Sequence, residues 1–309
     1  MKTLFDHTIN YRIIAASAFL IASVLSLAVQ AQDEADKSRA ADSAPANFLD
    51  INQKLGTKLA KQVYSGGEPA ERKHFRWLAG QGVKTIVSVD GIAPDLNLAK
   101  AYGLRYVHIP LTYSGISRDS GLAMLRVLEE MPGPIYVHCH HGQHRAPAAV
   151  AYMLRASELV SKDEALEILF RGGTSKEYLG LWTDVRNAKK RTDNEKLPEL
   201  KSTATVPDFA KRMAGLARSL EKLQKVANGE ARKRSYSALL LSDDFRELER
   251  SPFAKQHGGD FRALLEFSTK LSTQLHQASK AADFDDKKFG ELMDEMKQNC
   301  TRCHEQFRN

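Results

Sequence analysis

Residues Tyr136 to Pro147 read Y-V-H-C-H-H-G-Q-H-R-A-P, which spaces a cysteine, a glycine and an arginine as H-C-x-x-G-x-x-R. The run Pro134-Ile135-Tyr136-Val137 before it is short, apolar and β-rich, and Ala146 to Ala156 after it is alanine-rich and helix-forming, so the motif predicts a strand, a tight loop and a helix. A loop closing onto a helix N-terminus turns backbone N–H groups and the positive end of the macrodipole toward an anion. Cys139, at the start of that loop, is expected to be a thiolate nucleophile in the same field. Gly142 permits a positive φ and close backbone approach, and Arg145 returns a planar two-pronged donor to phosphate oxygens. The stretch describes a phosphate pocket with a nucleophile at its base.

His138, Cys139, Gly142 and Arg145 together resemble the signature loop of the cysteine-dependent protein tyrosine and dual-specificity phosphatases. The resemblance implies Cys139 as the nucleophile that becomes phosphocysteine, Arg145 as the phosphate clamp and His138 as the residue that tunes the thiolate. It implies His140, His141, Gly142, Gln143 and His144 as the rest of the phosphate-binding loop, with the three histidines shaping its rim and adding positive charge when protonated. Two positions depart from the family pattern. Ala146 stands where Ser or Thr usually follows the arginine, and Thr112, Tyr113 and Ser114 stand where the general-acid aspartate is usually found. Asp119 is the nearby carboxylate and the candidate acid; its alternative role is the N-cap of the helix that follows. A rival reading takes the four loop histidines and Cys139 as a zinc site, against which neighbours such as His140 and His141 cannot easily face one ion.

Around this motif, strand and helix signals alternate. A strand runs through Val63 into a turn, a helix covers Glu71 to Ala79, a buried strand spans Val83 to Val89, a helix spans Asp95 to Tyr102, a strand Tyr106 to Leu111, and a helix Ser120 to Met131. This alternation predicts an α/β domain with a mostly parallel sheet over residues 55–190, resembling the dual-specificity phosphatases, with the phosphate loop at the carboxyl end of a strand. Asp90, before Gly91, is expected to be a turn residue, with a role as acid or anchor at the pocket as its alternative.

From Arg191 to Val206 the composition turns polar between breaks at Pro198 and Pro207, and residues 191–206 are expected to link two domains. Beyond them strand signals stop. Phe209, Met213, Leu216, Leu220 and Leu223 recur at helical spacing, and further helical segments cover about 235–250, 260–279 and 286–307, predicting an all-α four-helix bundle over 207–309. Its last segment holds Cys300-Thr301-Arg302-Cys303-His304. Cys-x-x-Cys-His is the attachment sequence of a c-type haem. A four-helix bundle with this motif near its end resembles the cytochrome c′ family. That resemblance implies one covalent haem c on Cys300 and Cys303, His304 as axial iron ligand, and a distal side lined by Met213 or Leu216 that would admit a small gas. For Met213 simple core packing is the alternative. His257 and His276 are expected on the surface.

Residues 1–31 carry Lys2 and Arg12, an uncharged stretch from Ile13 to Val29, and small residues before Gln32. They read as a secretory signal cleaved after Ala31, or as an anchor if uncleaved; residues 32–54 read as a flexible lead. Export to the periplasm and covalent haem attachment support one another. With 42% hydrophobic and 27% charged residues the chain is globular, and its formal charge of +7 is carried by basic clusters without interleaved aromatics, which argues against nucleic acid. The expected partners are a phosphorylated protein or small phosphomonoester, and a redox partner or small gas at the haem. A binding module that holds phosphate without turning it over, attached to a functional cytochrome, is the alternative.

Overall fold

The computed structural model describes residues 43–56 and 59–308, so the expected signal segment and the lead as far as residue 42 lie outside the described residues. Residues 45–309 form one compact unit. Its first half is built on five strands: β1 (Leu49–Asp50), β2 (Val63–Gly66), β3 (Thr85–Ser88), β4 (Arg105–His108) and β5 (Ile135–His138). They stand in the order β1-β2-β5-β3-β4, parallel except for β1, which pairs antiparallel with β2. The sheet is therefore mixed, with an antiparallel edge on a parallel body.

β5 is central, and its last residue His138 lies opposite Gly66 of β2 and Ser88 of β3. β2 and β3 follow one another in sequence yet flank β5, so the chain's direction of winding reverses there, and a crevice opens beyond the carboxyl ends of the strands. All four residues of β5 are buried, as expected of a parallel strand covered on both faces. On one face Tyr136 packs with Tyr64, Phe75, Leu78 and Ile86. On the other, Ile135 and Val137 pack with Val63, Val87 and the helices α4 (Arg118–Glu130), α5 (Arg145–Ala156), α6 (Lys162–Arg171) and α7 (Leu179–Arg186). The smaller helices α1 (Ile51–Leu55), α2 (Arg72–Gly80) and α3 (Leu96–Ala101) complete this half. In α5 every residue but Arg155 is buried, and Ala146, Ala148, Ala149 and Ala151 keep its surface small enough to nest among its neighbours.

The polar segment 191–206 has no helix or strand, but it is fixed along the edge of the sheet. Lys201 O accepts from His108 N at 2.8 Å, Ala204 N donates to His108 Nδ1 at 3.2 Å, and Arg126 Nη1 donates to Pro198 O at 2.9 Å. Arg118 grips Glu195 through Nε at 2.6 Å and Nη2 at 2.5 Å. The segment thus covers the exposed edge of β4.

Four long helices follow, α8 (Phe209–Val226), α9 (Ala231–Glu249), α11 (Gly259–Lys280) and α12 (Asp286–Phe307), with the short α10 (Pro252–Gln256) between α9 and α11. They share an apolar core of Leu216, Leu223, Leu241, Phe245, Leu265, Leu275, Phe289 and Met296, among others. The backbones of α8 and α9, α9 and α11, and α11 and α12 pack closely, whereas those of α8 and α12 do not. No helix among the described residues is long and apolar enough to cross a membrane.

The helical region docks on the α/β region through α9. Leu239 joins the sheet-side core, Tyr236 donates to Ser114 O at 3.2 Å, and Arg250 donates to Asp90 Oδ1 at 3.2 Å. Lys280 of α11 adds a 2.8 Å ion pair to Glu177.

Candidate active site

Strand, loop and helix occupy the places the sequence assigns them: β5 ends at His138, residues 139–144 form the loop, and Arg145 begins α5. Cys139 is buried. Gly142 has φ +77°, and a Cβ there would come within 2.2 Å of Gly66 C and 2.3 Å of Gly67 N, so the position requires glycine for both conformation and space. The loop's carbonyls are turned outward. His140 O accepts from Glu68 N at 3.0 Å, His141 O from Asn47 Nδ2 at 2.7 Å, and Gln143 O from Thr174 Oγ1 at 3.0 Å. Among the described residues, no backbone N–H of residues 140–144 donates to another part of the protein, leaving a cradle of free donors at the start of a helix.

Arg145 is fully buried. Its Nη1 donates to Leu111 O at 3.3 Å and to Glu247 Oε1, and its Nη2 to Asp90 Oδ2 at 3.3 Å and Tyr113 Oη at 3.1 Å. The guanidinium also lies 4.1 Å from the centre of the Tyr113 ring. Burial opposes its charge, but the carboxylates of Glu247 and Asp90 outweigh burial and hold it firmly protonated.

Asp90 is not a mere turn residue. It accepts from Ile92 N at 2.9 Å, as a turn would require, but it is also buried between Arg145 and Arg250. Burial alone would raise its pKa; the two guanidiniums hold it down at about 2. Glu247 has no counterpart in the sequence reading. It arrives from α9, pairs with Arg145, and has Arg212 Nη1 3.7 Å away.

A cavity of 320 Å³ opens over the loop, walled by Tyr113, His144 and Tyr178 and closed by Asp243, Glu247 and Arg250 of the helical region. Tyr113 and Tyr178 stack at 5.2 Å, and the His144 ring lies 4.5 Å from Tyr178. Burial first, then neighbouring Arg145, depresses His144 to about 4, and burial likewise depresses His141. These two rim histidines are therefore neutral near pH 7, and the rim takes positive charge from Arg246 and Arg250. His140 hydrogen-bonds Glu68 at 3.1 Å. His138 is buried, with Nε2 2.5 Å from Tyr106 Oη, and burial depresses it to about 4. It stands beside the cysteine as a neutral, anchored ring and brings no cationic charge to it.

Asp119 lies elsewhere. It is an exposed residue in the first turn of α4 and lines a separate cavity of 180 Å³ with His108 and Lys201. Nor is it the cap: Ser117 is, its hydroxyl accepting from Ser120 N at 3.1 Å, because the helix begins two residues earlier than the apolar pattern suggests. Among the described residues no three His, Cys, Asp or Glu side chains converge as a metal site.

On α12, Cys300, Cys303 and His304 fall one helical turn apart on one face. Both cysteines are free and half-buried against the helical core. Burial pushes both thiols up. Two unpaired thiols and a half-buried imidazole at this spacing are a donor set whose chemistry fits a covalently held haem.

Residues 61–158 match the family model described as Tc-R-P, polymorphic toxin system, DSP-PTPase phosphatase. Among solved structures, TpbA of P. aeruginosa is similar at 25% identity over 41% of this chain and 80% of that one, with a TM-score of 0.35. The core catalytic domain of the PP-IP phosphatase SIW14 from S. cerevisiae, in complex with citrate, is similar at 17% identity over 49% and 89%, with a TM-score of 0.39. A mutant form of Tk-PTP is similar at 19% identity over 43% and 96%, with a TM-score of 0.35. No curated protein matches the chain.

Proposed function

We propose that this protein, whose α/β region is a phosphatase domain of the DSP/PTPase type, hydrolyses phosphomonoesters through a phosphocysteine formed on Cys139. The observation that carries the reading is the cradle itself: a buried cysteine at a strand end, a buried arginine at the helix start, and a loop three of whose carbonyls are bonded to the surrounding protein. In this reaction Sγ of Cys139 attacks phosphorus while Arg145 and the loop N–H groups hold the equatorial oxygens, which need positioning and charge more than covalent help. The phosphoryl group takes the place of the Glu247 carboxylate on Arg145. Ala146 offers no hydroxyl to assist hydrolysis of the phosphocysteine. The walls of Tyr113, Tyr178 and His144 suit an aryl ester, so a phosphorylated protein or a small aryl phosphomonoester is the substrate class.

The same reading makes the protein an exported, periplasmic one with a single haem c. Cys300 and Cys303 would hold that haem and His304 would ligate its iron; bound there, the group would supply electron transfer to a redox partner or binding of a small gas. Met213 and Leu216 border the same apolar core and remain the distal candidates.

A second reading, phosphate binding without turnover, is favoured by one observation: residues 110–116 present no carboxylate to the cavity. Hydrolysis of 4-nitrophenyl phosphate by the full chain beside Cys139→Ser separates the two. Turnover abolished in the variant establishes the cysteine mechanism. No turnover in either, with vanadate still bound, assigns the domain to binding.

A further inference from the structure

A reaction on Cys139 needs a proton for the departing oxygen, and the loop at 110–116 has no carboxylic acid to give one. The other carboxylates on or near the cavity are each engaged, Asp244 by Ser219 at 2.7 Å. Glu247 is held by Arg145, Asp90 by Arg145 and Arg250, Glu249 by Thr269 at 2.9 Å, Glu68 by His140, and Asp184 by Ile116 N at 2.7 Å. Asp243 differs. It is 4% exposed and lines the cavity; its Oδ1 accepts from Arg246 at 3.1 Å, while its Oδ2 is buried without a hydrogen-bond partner among the described residues. A buried carboxyl oxygen that lacks a hydrogen-bond partner is less costly to hold neutral than as an anion.

We propose that Asp243, carried to the phosphate loop by helix α9, is the general acid of the phosphatase reaction. This rests on the Cys139 mechanism above. As the S–P bond forms and the ester P–O bond breaks, Oδ2 passes its proton to the leaving oxygen. In the second step water attacks phosphorus, the S–P bond breaks, and the Asp243 carboxylate takes the water's proton, which restores the enzyme. The surroundings suit the task. Burial raises the carboxyl to about 6, against the pull of Arg246, Tyr178 and Arg145, placing its proton near the working pH of a general acid. The Tyr178 hydroxyl faces the same carboxyl and opposes the effect of burial on it. Arg246, which fixes Oδ1, is itself tied at 3.2 Å to Thr273 Oγ1 of α11. Glu247, one turn on, already lies in the phosphate position, so α9 brings one carboxyl to the leaving-group side and another to the anion side.

The test compares the full chain with Asp243→Asn and Asp243→Glu on two esters, 4-nitrophenyl phosphate with a good leaving group and phenyl phosphate with a poor one. Loss of a general acid is expected to lower kcat/KM for phenyl phosphate by about 100-fold and for 4-nitrophenyl phosphate by under about tenfold. It should also remove the fall in kcat as pH rises through the Asp243 ionisation, and Asp243→Glu should restore part of the phenyl phosphate rate. An equal loss on both esters with the pH limb intact overturns the acid role and leaves a structural one. Unchanged rates in Asp243→Asn, with turnover still dependent on Cys139, overturn the assignment alone. Absence of Cys139-dependent turnover in the parent chain overturns it together with the phosphatase mechanism.

Discussion

Glu247→Gln and Glu247→Ala test how far the helical region occupies the phosphate site. Arg145 is fully buried and the Glu247 side chain is 17% exposed, so their pair is little screened by water. A hydrogen bond to a charged group is worth about 1.5–3 kcal/mol net, which an incoming oxyanion must offset before it can hold Arg145. Removing the side chain entirely should therefore tighten vanadate binding and lower KM by about tenfold to hundredfold. Glutamine retains a neutral bond of roughly half that strength, so its gain should be about threefold to tenfold. Arg145 keeps Asp90 at 3.3 Å in either variant and is not left as an unpaired buried charge. The assay is vanadate inhibition and KM for 4-nitrophenyl phosphate, with thermal unfolding as the control for folding. Unchanged or weaker vanadate binding in both folded variants would refute the claim that Glu247 and the phosphoryl group compete for one guanidinium.

Asp90→Asn should destabilise the protein in a pH-dependent way. The native carboxyl is held at about 2 against an ordinary 3.8, which at ~1.36 kcal/mol per pH unit is about 2 kcal/mol. Because the native pKa is the lower one, this stability is present above pH ~4 and is lost as pH falls toward 2; urea midpoints for the two proteins should converge over that range. Gly142→Ala combines a positive φ with a clash against Gly66 and Gly67, and should lower stability by about 2–4 kcal/mol and abolish vanadate binding, read by denaturation and titration calorimetry. Cys300→Ala with Cys303→Ala, in cells competent for c-type maturation, should yield protein without the haem Soret absorption expected of the parent. Equal absorption in both would remove the haem assignment.

The phosphate loop was legible because its geometry is local. An apolar run, a cysteine, a glycine and an arginine within twelve residues of chain dictate strand, turn and helix start without reference to anything distant, and the alternation of strands and helices around them dictates an α/β sheet with that loop at a strand end. Asp119 shows where such reasoning stopped. Sequence proximity made it the candidate acid, but one helical turn's rotation sends it to another cavity. Asp90 reads locally as a turn, which its bond to Ile92 bears out, while its charge is committed to partners 55 and 160 residues away.

The sequence by itself determined the candidate nucleophile, the candidate clamp arginine, the glycine between them and the strand-loop-helix that holds them, because those features follow from neighbours along the chain. Only the tertiary structure decided which carboxylates meet Arg145. Asp243, Glu247 and Arg250 lie at i, i+4 and i+7 of an ordinary-looking charged helix, and nothing in that periodicity says whether the stripe faces water or a buried guanidinium. The packing of α9 against the loop takes these groups out of water, and burial converts charges that would be surface decoration into strongly coupled partners and leaves one carboxyl oxygen without a donor.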